Sequence, residues 1–231
     1  MWIGGVSQHW LTEAAPQPDE SWLAALFLTL AGLIVLVSTR VWSEQALLLG
    51  IALLGFFAEV AGVHFGFPFG DYRYTDALGP DLLGVPVVMT FAWMTLAAYV
   101  KQALLRLKLS AWVEVVIGAL WMTAFDLLID PLAANELGYW RWVEAGPYYG
   151  VPIINFVGWF VVSLLVFVIL RRKFKPSRVT RLVGLSLILF FTLIALAYGK
   201  FGVALVGGGL CIIHLVISVA HRLIIPKDRL A

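Results

Sequence analysis

The stretch EVAGVHFGFPFGDYRYTDALGPDLLGVPVVMTFAW, residues 59–93, separates two hydrophobic runs with an aromatic segment rich in glycine and proline. The segment also carries carboxylates and a histidine, although its surroundings are strongly apolar. Pro68, Pro80 and Pro86 forbid a continuous helix through it. We therefore predict an irregular polar structure, built between two helices.

A related stretch, DLLIDPLAANELGYWRWVEAGPYYGVPIINFVGW, occupies residues 126–159. Both stretches contain an aromatic-Arg-aromatic triplet, a Gly-Pro, a Gly-Val-Pro and a tryptophan, in that order. The matching pairs are Tyr72-Arg73-Tyr74 with Trp140-Arg141-Trp142, Gly79-Pro80 with Gly146-Pro147, Gly84-Val85-Pro86 with Gly150-Val151-Pro152, and Trp93 with Trp159. This pattern predicts two repeat units, at about residues 46–100 and 111–170.

The composition is that of an integral membrane protein. Of the 231 residues, 61% are hydrophobic and 13% charged, and the mean hydropathy is +0.93, outside the usual range of soluble domains. Apolar runs long enough to span a membrane at roughly 20 residues each are found at about residues 22–37, 46–63, 85–100, 111–129, 151–170, 182–198 and 201–220. We predict an all-α polytopic membrane helix bundle with seven transmembrane helices, forming one domain over residues 1–231 in the cell membrane.

Basic residues predict the orientation of this bundle. They cluster after the first, third, fifth and seventh spans, most densely in residues 171–181, whereas residues 1–20 contain no Lys or Arg. The positive-inside rule places the N-terminus outside, the C-terminus in the cytoplasm and both special segments on the outer side. The repeat is then parallel, and the two aromatic segments should face each other around a shared cavity. The net charge of +2 is small and the basic residues lie in short loops, so we expect no nucleic acid as a partner. Membrane lipid is the expected partner of the apolar spans.

Acidic residues inside the spans are the first candidates for chemistry. Glu59 and Asp126 occupy matching places, 13 and 14 residues before their aromatic triplets. An ionisable group within a span costs about 3 kcal/mol on insertion scales, so it indicates a functional site by default. The alternative interpretation is a structural carboxyl, bonded to a neighbouring helix or paired with Arg73 or Arg141.

Asp130 lies four residues after Asp126, so both carboxyls share one helix face unless Pro131 ends the helix first. Two close carboxyls oppose each other's ionisation, so one can stay protonated beside an ionised partner. His64 is a candidate acid or base, with a structural histidine as the alternative. The spacing of histidines and carboxylates matches no metal motif, so we predict no metal site.

The remaining candidates are aromatic or polar. Desolvated aromatic faces stabilise cations by about 2 kcal/mol, although single aromatic residues are also typical of the interfacial belt. The candidate substrate-binding residues are Tyr72, Tyr74, Trp93, Trp140, Trp142, Tyr148, Asn155 and Trp159. Polar support is expected from Asp71, Arg73 and Arg141. Asn155 matches Met89 in the first repeat, so the two halves differ there.

At these residues the chain resembles the integral-membrane carotenoid hydratases of bacteria and haloarchaea, which act on γ-carotene, lycopene or bisanhydrobacterioruberin. The resemblance covers nearly the whole chain. Its best marks are residues 68–74 (PFGDYRY), Gly84-Val85-Pro86, residues 126–131 (DLLIDP), and Gly150-Val151-Pro152 with Asn155 and Trp159. It implies addition of water to the terminal double bond of an acyclic carotenoid, giving a tertiary hydroxyl without any cofactor. From the resemblance we also expect contact with other carotenoid-pathway enzymes.

A mechanism follows as a hypothesis. Asp126 or Glu59 protonates the alkene, and aromatic faces together with an ionised Asp130 stabilise the tertiary carbocation. A water molecule then attacks, held by His64, Asp71 or Asn155. Three alternatives stay open: a lycopene-type cyclase that begins with the same protonation, a transporter, and a protein that only binds carotenoid.

Overall fold

The computed structural model describes residues 22–172 and 174–224. That part of the chain contains seven α-helices: α1 Trp22–Ser38, α2 Trp42–Phe65, α3 Met89–Leu104, α4 Ala111–Asn135, α5 Ile153–Ile169, α6 Arg178–Ala197 and α7 Phe201–Ile224. Helices α2, α4, α6 and α7 are long and apolar enough to cross a membrane, and α1 and α5 are apolar helices of 17 residues. The predicted all-α bundle is confirmed for the described residues.

Large apolar side chains cover the outside of this bundle. Leu53 and Phe57 on α2, Leu120 on α4, Leu165 on α5 and Leu205 on α7 are each more than half exposed. Leaving such a surface in contact with water would cost about 25 cal/mol of free energy for every Å² of apolar area. Lipid chains remove that cost, so the surface agrees with the hydropathy in indicating a membrane protein.

Helix α3 is the central column of the bundle. It packs against α1, α2, α4 and α6, and every residue from Trp93 to Leu104 is buried. Two of its buried polar side chains have partners on other helices, whereas the buried hydroxyl of Thr95 has no hydrogen-bond partner in the described structure. Lys101 forms a salt bridge with Glu114 on α4, and the Tyr99 hydroxyl lies 3.0 Å from Nδ1 of His214 on α7.

The segment between α2 and α3 is irregular, as predicted, and contains short elements. These are strand β1 Tyr72–Tyr74, a 3-10 helix Asp76–Leu78, and strands β2 Asp81–Leu82 and β3 Val85–Pro86. The third span was predicted to begin at Val85, but Val85 pairs with Leu82 in a hairpin. The hairpin turn is Leu83-Gly84, with φ of 54° and 74°, a conformation that suits two-residue hairpins. Helix α3 therefore begins only at Met89.

Helix α4 continues beyond the predicted end at Ile129, through Pro131. Proline has no backbone N–H, so the carbonyl of Leu127 loses its usual helical donor. The Tyr148 hydroxyl donates to that carbonyl at 3.2 Å. A side chain from the following loop thus compensates for the proline, and the helix extends for four more residues, to Asn135.

The two stretches that resemble each other in sequence meet in space. Strand β4, Trp140–Trp142, pairs antiparallel with β1, and Arg73 lies opposite Arg141 at the centre of the pair. Trp93 stacks on Trp159, with ring centroids 4.2 Å apart and planes 10° apart. The division into repeat units and the orientation in the membrane stay predictions.

Candidate active site

Glu59 lies at the centre of a hydrogen-bonded group of aromatic side chains. The residue is buried, with 4% of its surface exposed. The hydroxyls of Tyr72 and Tyr74 donate to Oε2, the latter at 3.0 Å, and the Trp93 indole N–H donates to Oε1 at 2.9 Å. Both carboxyl oxygens therefore accept hydrogen bonds, and all three donors come from residues of the first stretch.

Asp126 and Asp130, in the last turns of α4, provide the other two buried carboxyls of the site. They point to one face because the helix continues through that region, and both are buried. The Asn155 amide nitrogen donates to Oδ2 of each aspartate at 2.6 Å. Oδ1 of Asp130 also accepts from the indole N–H groups of Trp140, at 2.7 Å, and Trp142, at 3.2 Å.

The paired strands bring the two groups together through their aromatic rings. The Tyr72 ring lies 5.1 Å from that of Trp142, and the Tyr74 ring 5.8 Å from that of Trp140. Each of these four side chains also donates to a carboxyl, so a tyrosine ring and a tryptophan ring in contact connect Glu59 to Asp130. The carboxyls that the sequence suggested for the site, and its suggested aromatics apart from Tyr148, thus form one cluster.

Burial, followed by the nearby charge of Glu59, raises the pKa of Tyr72 well above its usual value of 10. The same two causes raise the pKa of Tyr74. Both hydroxyls consequently keep their protons at neutral pH and act as donors to Glu59.

Phe69 also belongs to the cluster, although sequence reasoning did not select it. It is buried, and its ring lies 6.3 Å from Trp93 and 6.2 Å from Trp159. A Cβ on Gly158 would lie 2.5 Å from the carbonyl oxygen of Pro68, so this glycine permits the close approach of the loop. The sequence feature that could have identified Phe69 is its place in the motif at residues 68–74.

Four predicted residues lie outside this cluster. His64, Asp71, Arg73 and Arg141 are exposed, and His64 Nε2 lies 3.1 Å from the carbonyl oxygen of Leu83. Within the described chain, no hydrogen bond or salt bridge joins any of the four to the buried carboxyls. Pairing of a buried carboxyl with either arginine, considered as an alternative, does not occur there.

Tyr148 is a fifth predicted residue outside the cluster. Its hydroxyl donates to the α4 backbone, and its ring centroid lies 5.4 Å from that of Phe156. The described residues contain no group of three or more His, Cys, Asp or Glu side chains that could hold a metal ion.

Comparisons with known proteins place the chain in a family. The model of the family described as carotenoid biosynthesis protein matches residues 20–220. The chain is 34% identical over 145 residues, 59% of its length, to a protein of Haloarcula japonica named bisanhydrobacterioruberin hydratase. It spans about half of that relative, 48% of its length. No solved structure gives a significant match. The extent of the family match shows that this chain belongs to the carotenoid biosynthesis protein family.

Proposed function

We propose that this protein is a carotenoid hydratase that adds water to the terminal double bond of an acyclic carotenoid end group, giving a tertiary hydroxyl. The observation that carries the proposal is the convergence of three buried carboxyls within one aromatic cluster, with no cation paired to them in the described structure. Family membership and the name of the Haloarcula japonica relative support the same chemistry.

Hydrogen-bond patterns favour Asp126 as the proton donor. Glu59 and Asp130 each accept from three side-chain donors, which suits an ionised carboxylate because it can only accept. Asp126 accepts one side-chain hydrogen bond, from Asn155. Of the three carboxyls, Asp126 therefore has the least stabilised ionised form, so it is the one that holds a proton at rest and can give it to the alkene.

Protonation at the terminal alkene leaves a tertiary carbocation on the neighbouring carbon. The indole faces of Trp140 and Trp142 and the phenol face of Tyr72 would stabilise this charge by cation-π attraction. The fixed carboxylates of Glu59 and Asp130 would add electrostatic stabilisation, which is strong where water is excluded. The apolar polyene would then lie between helices, and only its end would enter the cluster.

Water capture completes the reaction. The oxygen of a water molecule forms a bond to the cationic carbon and releases one proton to Asp130, which acts as the base. The Asn155 amide nitrogen donates to Oδ2 of both Asp130 and Asp126, so these two oxygens lie close together. The proton can therefore pass from Asp130 back to Asp126 for the next cycle. One water molecule is added, and no electrons are gained or lost. We therefore propose that no redox cofactor is needed.

Expression in a host that accumulates lycopene tests the proposal. Pigments extracted from its membranes should contain a more polar carotenoid whose mass is increased by that of one water molecule. A product of unchanged mass with a ring would indicate a cyclase instead. Unaltered lycopene that co-purifies with the protein would indicate binding without chemistry, and either outcome would overturn the hydratase proposal.

A further inference from the structure

A second polar region lies at the opposite end of the bundle from the carboxyl cluster. A cavity of about 760 Å³ opens between the end of α1, the start of α2 and the loop that joins α5 to α6. The charge pattern predicts that this end faces the cytoplasm. The cavity shares no residue with the carboxyl cluster.

Three cations line the cavity: Arg40, Lys175 and Arg178. All three are exposed, and neither of the salt bridges found in the described chain includes them. The acidic residue of the lining, Glu44, is buried and accepts the backbone N–H of Lys175 at 3.0 Å. The lining therefore carries an excess of positive charge directed at the cavity.

The shape of the cation-bearing loop is fixed by the centre of the bundle. Gln102 on α3 is buried, and its amide nitrogen donates to the carbonyl of Lys175 at 2.9 Å. Its amide oxygen accepts the backbone N–H of Ser177 at 2.7 Å. Together with Glu44, these bonds hold the loop backbone on both sides of Pro176. Lys175 and Arg178 consequently project from a preformed backbone, which reduces the ordering cost of binding.

The other wall of the cavity is apolar and belongs to α1. Leu33, Ile34 and Val37 line it and are 42%, 47% and 76% exposed. A ligand that satisfies both walls has an anionic end and an apolar chain. A free phosphate would satisfy the cations alone and leave this apolar wall uncovered.

We propose that this cavity binds an anionic phospholipid, with its phosphate among Arg40, Lys175 and Arg178 and one acyl chain along Leu33, Ile34 and Val37. Basic pockets between membrane helices are suited to such headgroups, and each cation near the surface contributes about 1 kcal/mol. The site is separate from the proposed reaction and does not depend on it.

Lipid titration of the full-length protein in neutral detergent, followed by native mass spectrometry, tests this site. Phosphatidylglycerol should bind more tightly than phosphatidylcholine. The double variant Arg40→Gln/Arg178→Gln should weaken phosphatidylglycerol binding about 25-fold, or about fivefold for each cation removed. Arg172→Gln is the matched control, because Arg172 is exposed near the same loop but does not line the cavity. It should change the affinity less than twofold.

Three outcomes would overturn the proposal. Equal binding of phosphatidylcholine would show that the anionic headgroup is not recognised. An equal loss in Arg172→Gln and the double variant would show that lipid binds by general surface charge. Competition by soluble glycerol phosphate, at the concentration at which phosphatidylglycerol binds, would show that the apolar wall contributes nothing and that the site takes a free phosphate.

Discussion

The two halves of the carboxyl cluster share a scaffold but differ in their functional groups. In the first half a single carboxyl, Glu59, accepts from two tyrosine hydroxyls and an indole. In the second half two carboxyls, Asp126 and Asp130, are bridged by an amide, and Asp130 also accepts from two indoles. The amide is that of Asn155, whose counterpart in the first half is the buried, apolar Met89.

Under the proposed mechanism, this difference favours the second half as the source of the acid. A thioether cannot donate to two carboxyls, so the first half has no equivalent of the bridge made by Asn155. The second half combines a carboxyl that has one donor, Asp126, with a neighbouring carboxyl that has three. Two carboxyls in unlike environments are the usual arrangement for separate acid and base roles. We therefore infer that the first half mainly stabilises charge.

Replacement of the proposed acid should have the largest effect. In Asp126→Asn the side chain keeps its size but has no acidic proton, so formation of the hydroxylated carotenoid should fall about 100-fold or more. Pigment analysis of membranes from the lycopene-producing host measures this loss. Asp76→Asn makes the same change at an exposed site of the outer segment and should leave the product yield intact. Full activity of Asp126→Asn would remove the acid assignment.

Replacement of the first-half carboxyl should have a smaller effect. Glu59→Gln removes a negative charge from beside the carbocation but leaves the proton donor in place, so activity should fall about tenfold to 100-fold. The matched control is Glu144→Gln, since Glu144 is exposed between β4 and α5. If Glu59→Gln were the more damaging of the two carboxyl variants, the roles of the halves would be reversed.

Exchange of the bridging amide tests the asymmetry directly. Asn155→Met introduces the residue that the first half has at the matching position and leaves both aspartates without their shared donor. Each buried acceptor that loses a partner costs about 1–3 kcal/mol, and product formation should fall about tenfold. Thermal unfolding and pigment assays on the same membranes separate the two effects. Asn155→Met with normal activity and stability would show that the bridge is dispensable.

The helices were predictable from the sequence because hydropathy over about 20 residues needs no knowledge of the fold. The meeting of the two stretches was also predictable, since related segments on one side of a bundle tend to face each other. The partners of Asp130 were not, because they depend on α4 continuing through Pro131. That continuation rests on a hydroxyl from Tyr148, 21 residues away from the carbonyl it bonds.

The position of His64 illustrates the same limit. Its place near Glu59 in sequence suggested a shared site, but α2 remains helical to Phe65 and leaves the His64 side chain exposed beside the hairpin. The helix is capped by Gly66, whose φ of 64° favours glycine, and a Cβ at this position would lie 2.3 Å from Oδ1 of Asp71. Contacts with a later loop therefore decide where the histidine points, and no local pattern encodes them.

Disruption of the stacked tryptophans at the junction of the halves should have a moderate effect. A Cβ on Gly55 would lie 2.2 Å from Cγ of Trp93, so Gly55→Ala must push this ring away from Trp159 and Glu59. Overpacking of this kind costs about 1–3 kcal/mol, and activity should fall with it. Gly50→Ala on the same helix meets no atom within 4 Å and should change the stability by less than about 1 kcal/mol. Thermal unfolding in detergent compares the two, and equal melting temperatures would argue against tight packing at Trp93.

The smallest expected effect is a difference between the two halves in how they contribute to stability at alkaline pH. Burial and the charge of Glu59 raise the folded-state pKa of Tyr72 and Tyr74 above the unfolded value of about 10. A group with a raised folded-state pKa contributes stability that is fully present below the unfolded value and is lost as pH rises through the folded value. The tyrosines of the first half should therefore make unfolding easier above about pH 10.

Removing these hydroxyls should flatten that dependence. The double variant Tyr72→Phe/Tyr74→Phe should be less stable at neutral pH, because Glu59 loses two donors, but its melting temperature should fall less steeply above about pH 10. Trp140→Phe/Trp142→Phe removes the two matching donors of the second half, and indoles do not titrate in this range. Its alkaline slope should therefore equal that of the unmodified protein. Equal slopes for all three proteins would mean that the tyrosines do not carry the alkaline loss of stability.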